Sequence, residues 1–329
     1  MLSSEVKFQV PENSINYIGK SYKIEGVLGK GSFGIVLSCK KGNLKYAIKV
    51  LHKIPEFYEL GLLEIAILKK LSHPNIVQYI HHFVHKGHLA IVFELLGLSL
   101  FETLKARKYR GFSLAVISSI SAQLFSALTY LKDKKLMHSD IKPENVIFVE
   151  QYSTRIKLID FGSATLEPKY NYIQSRYYRS PEVMLGVPYG PEMDMYSCGV
   201  MFAELFTGKP LLPGACEHSQ FLLLTKLLGK PPQYILHASH SNKLDLFVDS
   251  FGNPRPCETK RGMVEGCCSI KGIGEVRVIL GRLLNLKEND HFIELLSLCI
   301  TWDPIQRISP SAASNSKFCK GSKSTFLCS

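Results

Sequence analysis

Residues 138–182 read HSDIKPENVIFVEQYSTRIKLIDFGSATLEPKYNYIQSRYYRSPE. Two acids with different surroundings lie here. Asp140 opens D-x-K-x-x-N, and Asp160 opens D-F-G after the apolar run 156–159. The first motif puts an acceptor, a cation and an amide into one short loop. Such a set suits phosphoryl chemistry, which asks a protein for charge neutralisation and alignment more than for covalent steps. Asp160 is suited to holding Mg²⁺ against phosphates, and Asn145 to completing the metal site with a neutral oxygen. Asp140 is suited to orienting a hydroxyl and accepting its proton, and Lys142 to neutralising the migrating group. Either motif alone is common in surface loops. Chance does not account for both in order, preceded by a Gly-rich loop and A-I-K and followed by S-P-E.

Upstream, the sequence alternates into Gly29-Lys30-Gly31-Ser32-Phe33-Gly34 and on through Ile35-Val36-Leu37. This pattern predicts a strand, a Gly-rich turn and a strand, with backbone amides free to approach phosphate. Tyr46–Val50 predicts a further strand carrying one inward cation, Lys49. The run 55–71 has helical spacing, with Glu64 among Leu60, Leu63, Ile67, Leu68 and Leu71. An acid on an inner face is costly unless paired, so Glu64 is assigned to Lys49, with Glu59 as the alternative. Gly61 is expected to weaken this helix locally. Segments 76–83 and 88–93 predict two strands, and beyond Gly97 the pattern turns helical, at 113–131, 193–206, 220–228 and 291–300.

The 329 residues, 46% hydrophobic and 21% charged, are enough for two lobes with a sizeable core. No apolar run of membrane-spanning length is expected. The N-terminus carries no h-region, so secretion is not expected. Nine unpatterned cysteines point to free thiols in a reducing compartment, either cytoplasm or nucleus. Cys257, Cys267 and Cys268 lack paired metal spacing. His81, His82, His85 and His88 read as a polar hairpin turning at Lys86-Gly87. The net charge of +12 raises nucleic-acid binding as a rival role. The basic residues are spread, however, and the densest group, Lys105, Arg107, Lys108 and Arg110, reads as one solvated helix face. No stable nucleic-acid or membrane partner is expected.

Residues 170–182, HSDIKPEN with Ser139 where Arg is usual, IDFGSA, PLLPG (210–214), LLGKPPQYILHAS (227–239), FGNPRP (251–256) and TWDPIQR (301–307) resemble the dual-specificity tyrosine-regulated (DYRK) branch of the CMGC protein kinases. The resemblance covers about residues 22–316. It implies an α+β, bilobal fold: a lead-in (1–21), a β-rich small lobe (22–93), a hinge (94–97), a helical large lobe (98–316) with an irregular insert near 252–274, and a flexible tail (317–329). It implies ATP and Mg²⁺ as cofactors. ATP would be lined by Leu28, Gly29, Gly31, Phe33, Gly34, Val36, Ala47, Lys49, Phe93, Glu94, Leu96, Ile147 and Ile159. Asp140, Lys142, Lys49 and Glu64 would be catalytic, and Asn145 and Asp160 would hold metal. By the same resemblance Tyr172 is autophosphorylated and its phosphate gripped by Arg176 and Arg179. The partners would be proteins with Ser or Thr before Pro, often with an upstream Arg met by Glu144. Asp194 would brace the catalytic loop, and Arg307 would pair with Glu182. A monomer is expected. A catalytically silent scaffold is the competing reading, disfavoured by the complete catalytic set.

Overall fold

The computed structural model describes residues 7–8, 17–19, 21–151, 153–168, 173–239, 241–249, 253–255, 258–259, 262–263 and 276–321, with backbone alone for 241–243, 258–259 and 262–263. The small lobe is one antiparallel sheet in the order β1-β2-β3-β4-β6-β5. Its strands are β1 (Tyr17–Ile18), β2 (Tyr22–Lys30), β3 (Gly34–Lys41), β4 (Leu44–Leu51), β5 (Tyr79–His85) and β6 (His88–Glu94). Period-two alternation divides its faces. Ile35, Leu37, Ile48, Val50, Ala90 and Val92 form the outer core with Ile18 and Tyr22. The opposite face leaves Val36, Ala47, Lys49 and Phe93 half-buried. Lys86 and Gly87 both take positive φ, as a two-residue hairpin turn requires. The hairpin histidines bond tyrosines and backbone: Tyr22 Oη lies 2.7 Å from His81 Nε2, and Tyr79 Oη 2.6 Å from His82 Nδ1. No metal-binding group of His, Cys, Asp and Glu occurs among the described residues.

Helix α1 (Pro55–Leu68) starts at Pro55, whose fixed φ suits a first helical position. It lies on the inner face, with Ile65 against Leu51, Leu89 and Ile91. Gly61 is the point of closest approach: a Cβ there would meet Leu51 Cδ1 at 2.4 Å and Leu89 Cδ2 at 2.8 Å. The glycine therefore serves packing, at a cost in helix propensity.

The large lobe contains α2 (Leu100–Ala106), α3 (Leu114–Asp133), β7 (Val146–Phe148) paired with β8 (Ile156–Leu158), α4 (Pro181–Leu185), α5 (Glu192–Thr207), α6 (Glu217–Leu228), α7 (Gln233–Ala238), α8 (Ser241–Phe247), a hairpin of β9 (Glu258–Thr259) and β10 (Gly262–Met263), α9 (Val276–Leu284), α10 (His291–Cys299), α11 (Pro310–Ser314) and α12 (Lys317–Gly321). Helices α3 and α5 are its centre. Ile117, Ile120, Leu124, Leu128 and Leu131 are buried at three- and four-residue spacing, and thirteen consecutive residues of α5 are buried from Met193 to Leu205.

Several expectations are corrected. The lead-in contributes β1, whose Tyr17 and Ile18 pair with Lys23 and Tyr22. Strand β5 starts at Tyr79, while Ile76 bridges to Leu158 instead. The basic group is not one helix face. Helix α2 ends at Ala106, Lys108 and Tyr109 take positive φ, and Arg107 caps the turn by donating to the carbonyls of Arg110 and Gly111. The tail is anchored through Gly321 by buried Phe318 and Cys319. Within the insert, β9 pairs with β10, and Cys257, Cys267 and Cys268 lie outside the described residues. Helix α3 is long and apolar enough to cross a membrane, with a mean hydropathy of 1.5, because its Ser, Gln and Thr interrupt the apolar pattern without adding charge. Here it is the core helix of the lobe.

Candidate active site

The glycine-rich turn closes through a hydrogen bond from Gly31 N to Gly34 O at 2.9 Å. Gly34 has to be glycine, since a Cβ there would lie 2.1 Å from Val50 O. Gly29 and Gly31 face open space, which leaves room for a ligand close to the backbone. Leu28 and Phe33 are exposed at this turn, and Phe33 packs on Phe57 of α1 with ring centroids 5.0 Å apart. Below it the cross-strand pairs Val36–Lys49, Ala47–Phe93 and Lys49–Ile91 place the predicted ATP residues together. Ile147 and Ile159 are half-buried beneath, at β7 and after β8. The Glu94 carboxylate turns away to Lys157 Nζ and Gln78 N, both at 2.6 Å, while Leu96 stays half-buried on the connection. The large-lobe cavity of about 670 Å³ beside Tyr234, Ile305 and Arg307 is lined by none of the candidate ATP or catalytic residues.

Lys49 Nζ reaches Glu64 Oε2 at 2.9 Å and Asp160 Oδ1 at 2.8 Å. Burial by itself would lower the Lys49 pKa. The Glu64 and Asp160 carboxylates reverse this and hold the ammonium above its usual range. For Glu64, burial raises the carboxyl and Lys49 opposes it. At Asp160 the net shift is the opposite: burial is the largest single influence and raises the group, but Lys49, its hydrogen bond and the neighbouring His138 together bring it down to about 2. Asp160 is therefore an anion at every physiological pH. It takes a left-handed conformation at φ 61°, which drives Phe161 into the core against His138, ring centroids 5.0 Å apart.

On the other side, four donors fix both oxygens of Asp140. Oδ1 accepts from Ser175 N at 3.1 Å and Ser175 Oγ at 2.7 Å. Oδ2 accepts from Lys142 Nζ at 2.6 Å and Asn145 Nδ2 at 3.1 Å. Asn145 Nδ2 also donates to Asp140 O, so its side-chain oxygen faces away without a protein donor among the described residues. The backbone ahead of Asp140 is tied from beneath. Buried Asp194 accepts from His138 N at 2.7 Å and Ser139 N at 3.0 Å, and Ser139 sits at φ 67°. Ser139 Oγ is buried without a partner.

The sequence reading of segment 173–182 rests on its arginines and on Glu182, but its backbone matters as much. Gln174 takes φ 60°, and its carbonyl accepts from Arg179 Nη2 at 2.7 Å. Its side chain bonds Met193 O, Ser197 Oγ and Ser180 N. Arg179 also donates to Ile173 O and forms an ion pair with Glu217 at 2.5 Å. Arg176 donates to Ala215 O. Tyr172 lies outside the described residues. Arg307 is bidentate to Glu182 at 2.7 and 3.0 Å. Exposed Glu144 neighbours buried Glu204, which accepts from Tyr178 Oη at 2.6 Å. Burial and then Glu144 push Glu204 up, against the Tyr178 bond, to about 7. The sequence reading missed Ser175, Gln174 and Glu204. Only Glu204, an acid inside the apolar run of α5, carried a visible signal.

A sheet-built small lobe over a helical large lobe, with opposed lysine–carboxylate sets at the junction, defines a phosphoryl-transfer architecture. The chain belongs to the protein kinase family: the protein kinase domain model matches residues 22–319. It is similar to the serine/threonine-protein kinase ppk5 of Schizosaccharomyces pombe, at 39% identity over 92% of this chain and 36% of that protein. It is also similar to dual specificity tyrosine-phosphorylation-regulated kinase 2 of Drosophila melanogaster, at 35% over 94% and 43%. For the human kinase 4 of that name the figures are 35% over 91% and 57%. The chain thus spans between about a third and just over half of the length of these relatives. A crystallised kinase domain superposes with a TM-score of 0.79 at 26% identity, covering 96% of this chain and all of its own.

Proposed function

We propose that this chain transfers the γ-phosphate of ATP to Ser and Thr hydroxyls of proteins at sites followed by Pro, and phosphorylates its own Tyr172. The observation that carries the reading is the pair of sets Lys49–Glu64–Asp160 and Asp140–Lys142–Asn145, whose loops are tied together by the hydrogen bond from Ile159 N to Asn145 O at 2.9 Å. Lys49 is held charged for the α- and β-phosphates by the Glu64 and Asp160 carboxylates, and fixed charges of this kind are what make electrostatic stabilisation effective. The Asp160 anion and the free oxygen of Asn145 fit a divalent cation of the hard, oxygen-seeking kind, Mg²⁺. Bound there, it would neutralise phosphate charge. Asp140, oriented by four donors, accepts the substrate hydroxyl and its proton, and Lys142 stands beside it to balance charge on the transferred group.

The Pro preference follows from backbone accounting. A peptide residue after the acceptor Ser brings an N–H that needs a partner when it leaves water. The carbonyl of Gln174 is turned away and committed to Arg179. Proline brings no N–H and loses nothing. Glu144 and Glu204 support a basic residue upstream of the acceptor, and the names of the relatives support the Tyr172 reading.

Mass spectrometry of the chain expressed alone in bacteria, beside Asp160→Asn, tests this reading. Phosphate on Tyr172 in the wild type and none in the variant is the expected result. A bare Tyr172 together with no transfer to any Ser-Pro or Thr-Pro peptide would overturn it.

A further inference from the structure

Helix α1 buries one face, Gly61, Glu64, Ile65 and Leu68, yet its outer face is also apolar. Leu60, Leu62 and Leu63 are all exposed, Leu63 at 57%, with Tyr58 beside them. A surface helix ordinarily sets charge against solvent opposite its buried stripe. Here charge is confined to the ends. Glu56 and Glu59 lie in the first turns, and Lys69 and Lys70 follow the last. All four are exposed, and none has an ion-pair partner among the described residues.

Glu56, Glu59, Leu63, Ala66 and Lys70 follow one another at spacings of three and four, the seam of a helix pair. The seam is self-complementary in one direction only. When two copies run antiparallel about Leu63, Glu56 of each faces Lys70 of the other, Leu63 faces Leu63, and small Ala66 lets the backbones approach. When they run parallel, acid faces acid and base faces base. A two-fold contact must present the same patch from both sides; the Glu56–Lys70 pairs satisfy that condition in charge, while Glu59 falls opposite Ala66 and Ile67 with no base facing it. We propose that the outer face of α1 is the contact surface for a second copy of this chain, paired antiparallel through Leu63. The contact extends over a helix of about 21 Å, below the size of a standard interface, so the dimer is weak and concentration-dependent.

The test is sedimentation equilibrium of the full chain up to about 200 µM, a range that reaches weak association. The wild type is expected to shift from monomer to dimer. Glu56→Lys and Lys70→Glu are each expected to weaken the dimer about tenfold or more, since attraction becomes repulsion at both ends. An equimolar mixture of the two variants is expected to dimerise again, because each supplies the charge the other lacks. Leu63→Asp, at an exposed position where folding does not depend on leucine, is expected to abolish the dimer. A wild type that stays monomeric throughout, including the case where this face takes a different protein, overturns the proposal. So does a dimer indifferent to Leu63→Asp and to both charge reversals.

Discussion

The ion pairs at the junction of the lobes and those inside the large lobe use the same residue types and end in different states. Lys49 and Asp160 are 18% and 43% exposed, and Lys49 is shared between two carboxylates. Arg307 and Glu182 are 0% and 1% exposed, and both guanidinium nitrogens that can be bidentate are bonded to one carboxylate. The first arrangement leaves charge facing open space, where a phosphate or a cation can use it. The second turns its bonded nitrogens inward and fixes backbone: Arg307 also holds the carbonyls of Glu192 and Thr301, while its Nε is buried without a partner. Asp194 and Arg179 belong with the second kind, since one holds the loop that carries Asp140 and the other the carbonyl of Gln174. Open pairs act and closed pairs shape.

If that division is right, substitutions in the two regions fail differently. Asp160→Asn is expected to lower phosphate transfer about a thousandfold with little change in melting temperature. A melting shift as large as the activity loss would erase the distinction. Arg307→Ala strands a buried carboxylate and is expected to cost about 3–5 kcal/mol of stability, read by urea unfolding. A loss below about 1 kcal/mol would show that the pair does not brace the fold. Within the glycine turn, Gly34→Ala drives a Cβ into Val50 O and is expected to cost about 1–3 kcal/mol. Gly31→Ala, facing open space, should leave stability near wild type and act on ATP binding alone.

A pH-dependent effect concerns Glu204, which is buried on α5 and bonded to Tyr178. Its folded pKa of about 7 lies above the ordinary 4.5. The folded state therefore binds the proton more tightly. Its contribution is fully present below pH 4.5 and is lost as pH rises towards 7. Relative to Glu204→Gln, the wild type should lose stability across that window with a slope of at most about 1.4 kcal/mol per pH unit. A flat difference would place Glu204 in an ordinary solvated state.

How much of this was legible in the sequence follows from locality. The Gly-rich turn, A-I-K on β4 and D-F-G are short motifs whose residue types report their own chemistry, and the pairing of Glu64 with Lys49 followed from the cost of a buried acid, although Leu60 and Leu63, read on its face, lie exposed on the other. Strand β1 was not legible, because two residues carry no period and only the register with Tyr22 and Lys23 makes them a strand. The basic group left the helix face because Lys108 and Tyr109 take left-handed backbone that composition does not announce. Gln174 was missed for the same reason: its contribution is a φ angle and a redirected carbonyl, fixed by Arg179 five positions on. Glycine 61 was read through propensity, while the contact with Leu51 and Leu89 decides its place.

The most direct test uses three peptides that differ only after the acceptor Ser, carrying Pro, N-methylalanine or Ala there. If closed pairs shape the substrate site by withdrawing the Gln174 carbonyl, the two residues without an N–H should be phosphorylated at similar rates. Ala should be slower by about tenfold, the cost of one stranded donor. Ala as good as Pro, or N-methylalanine as poor as Ala, would contradict the account.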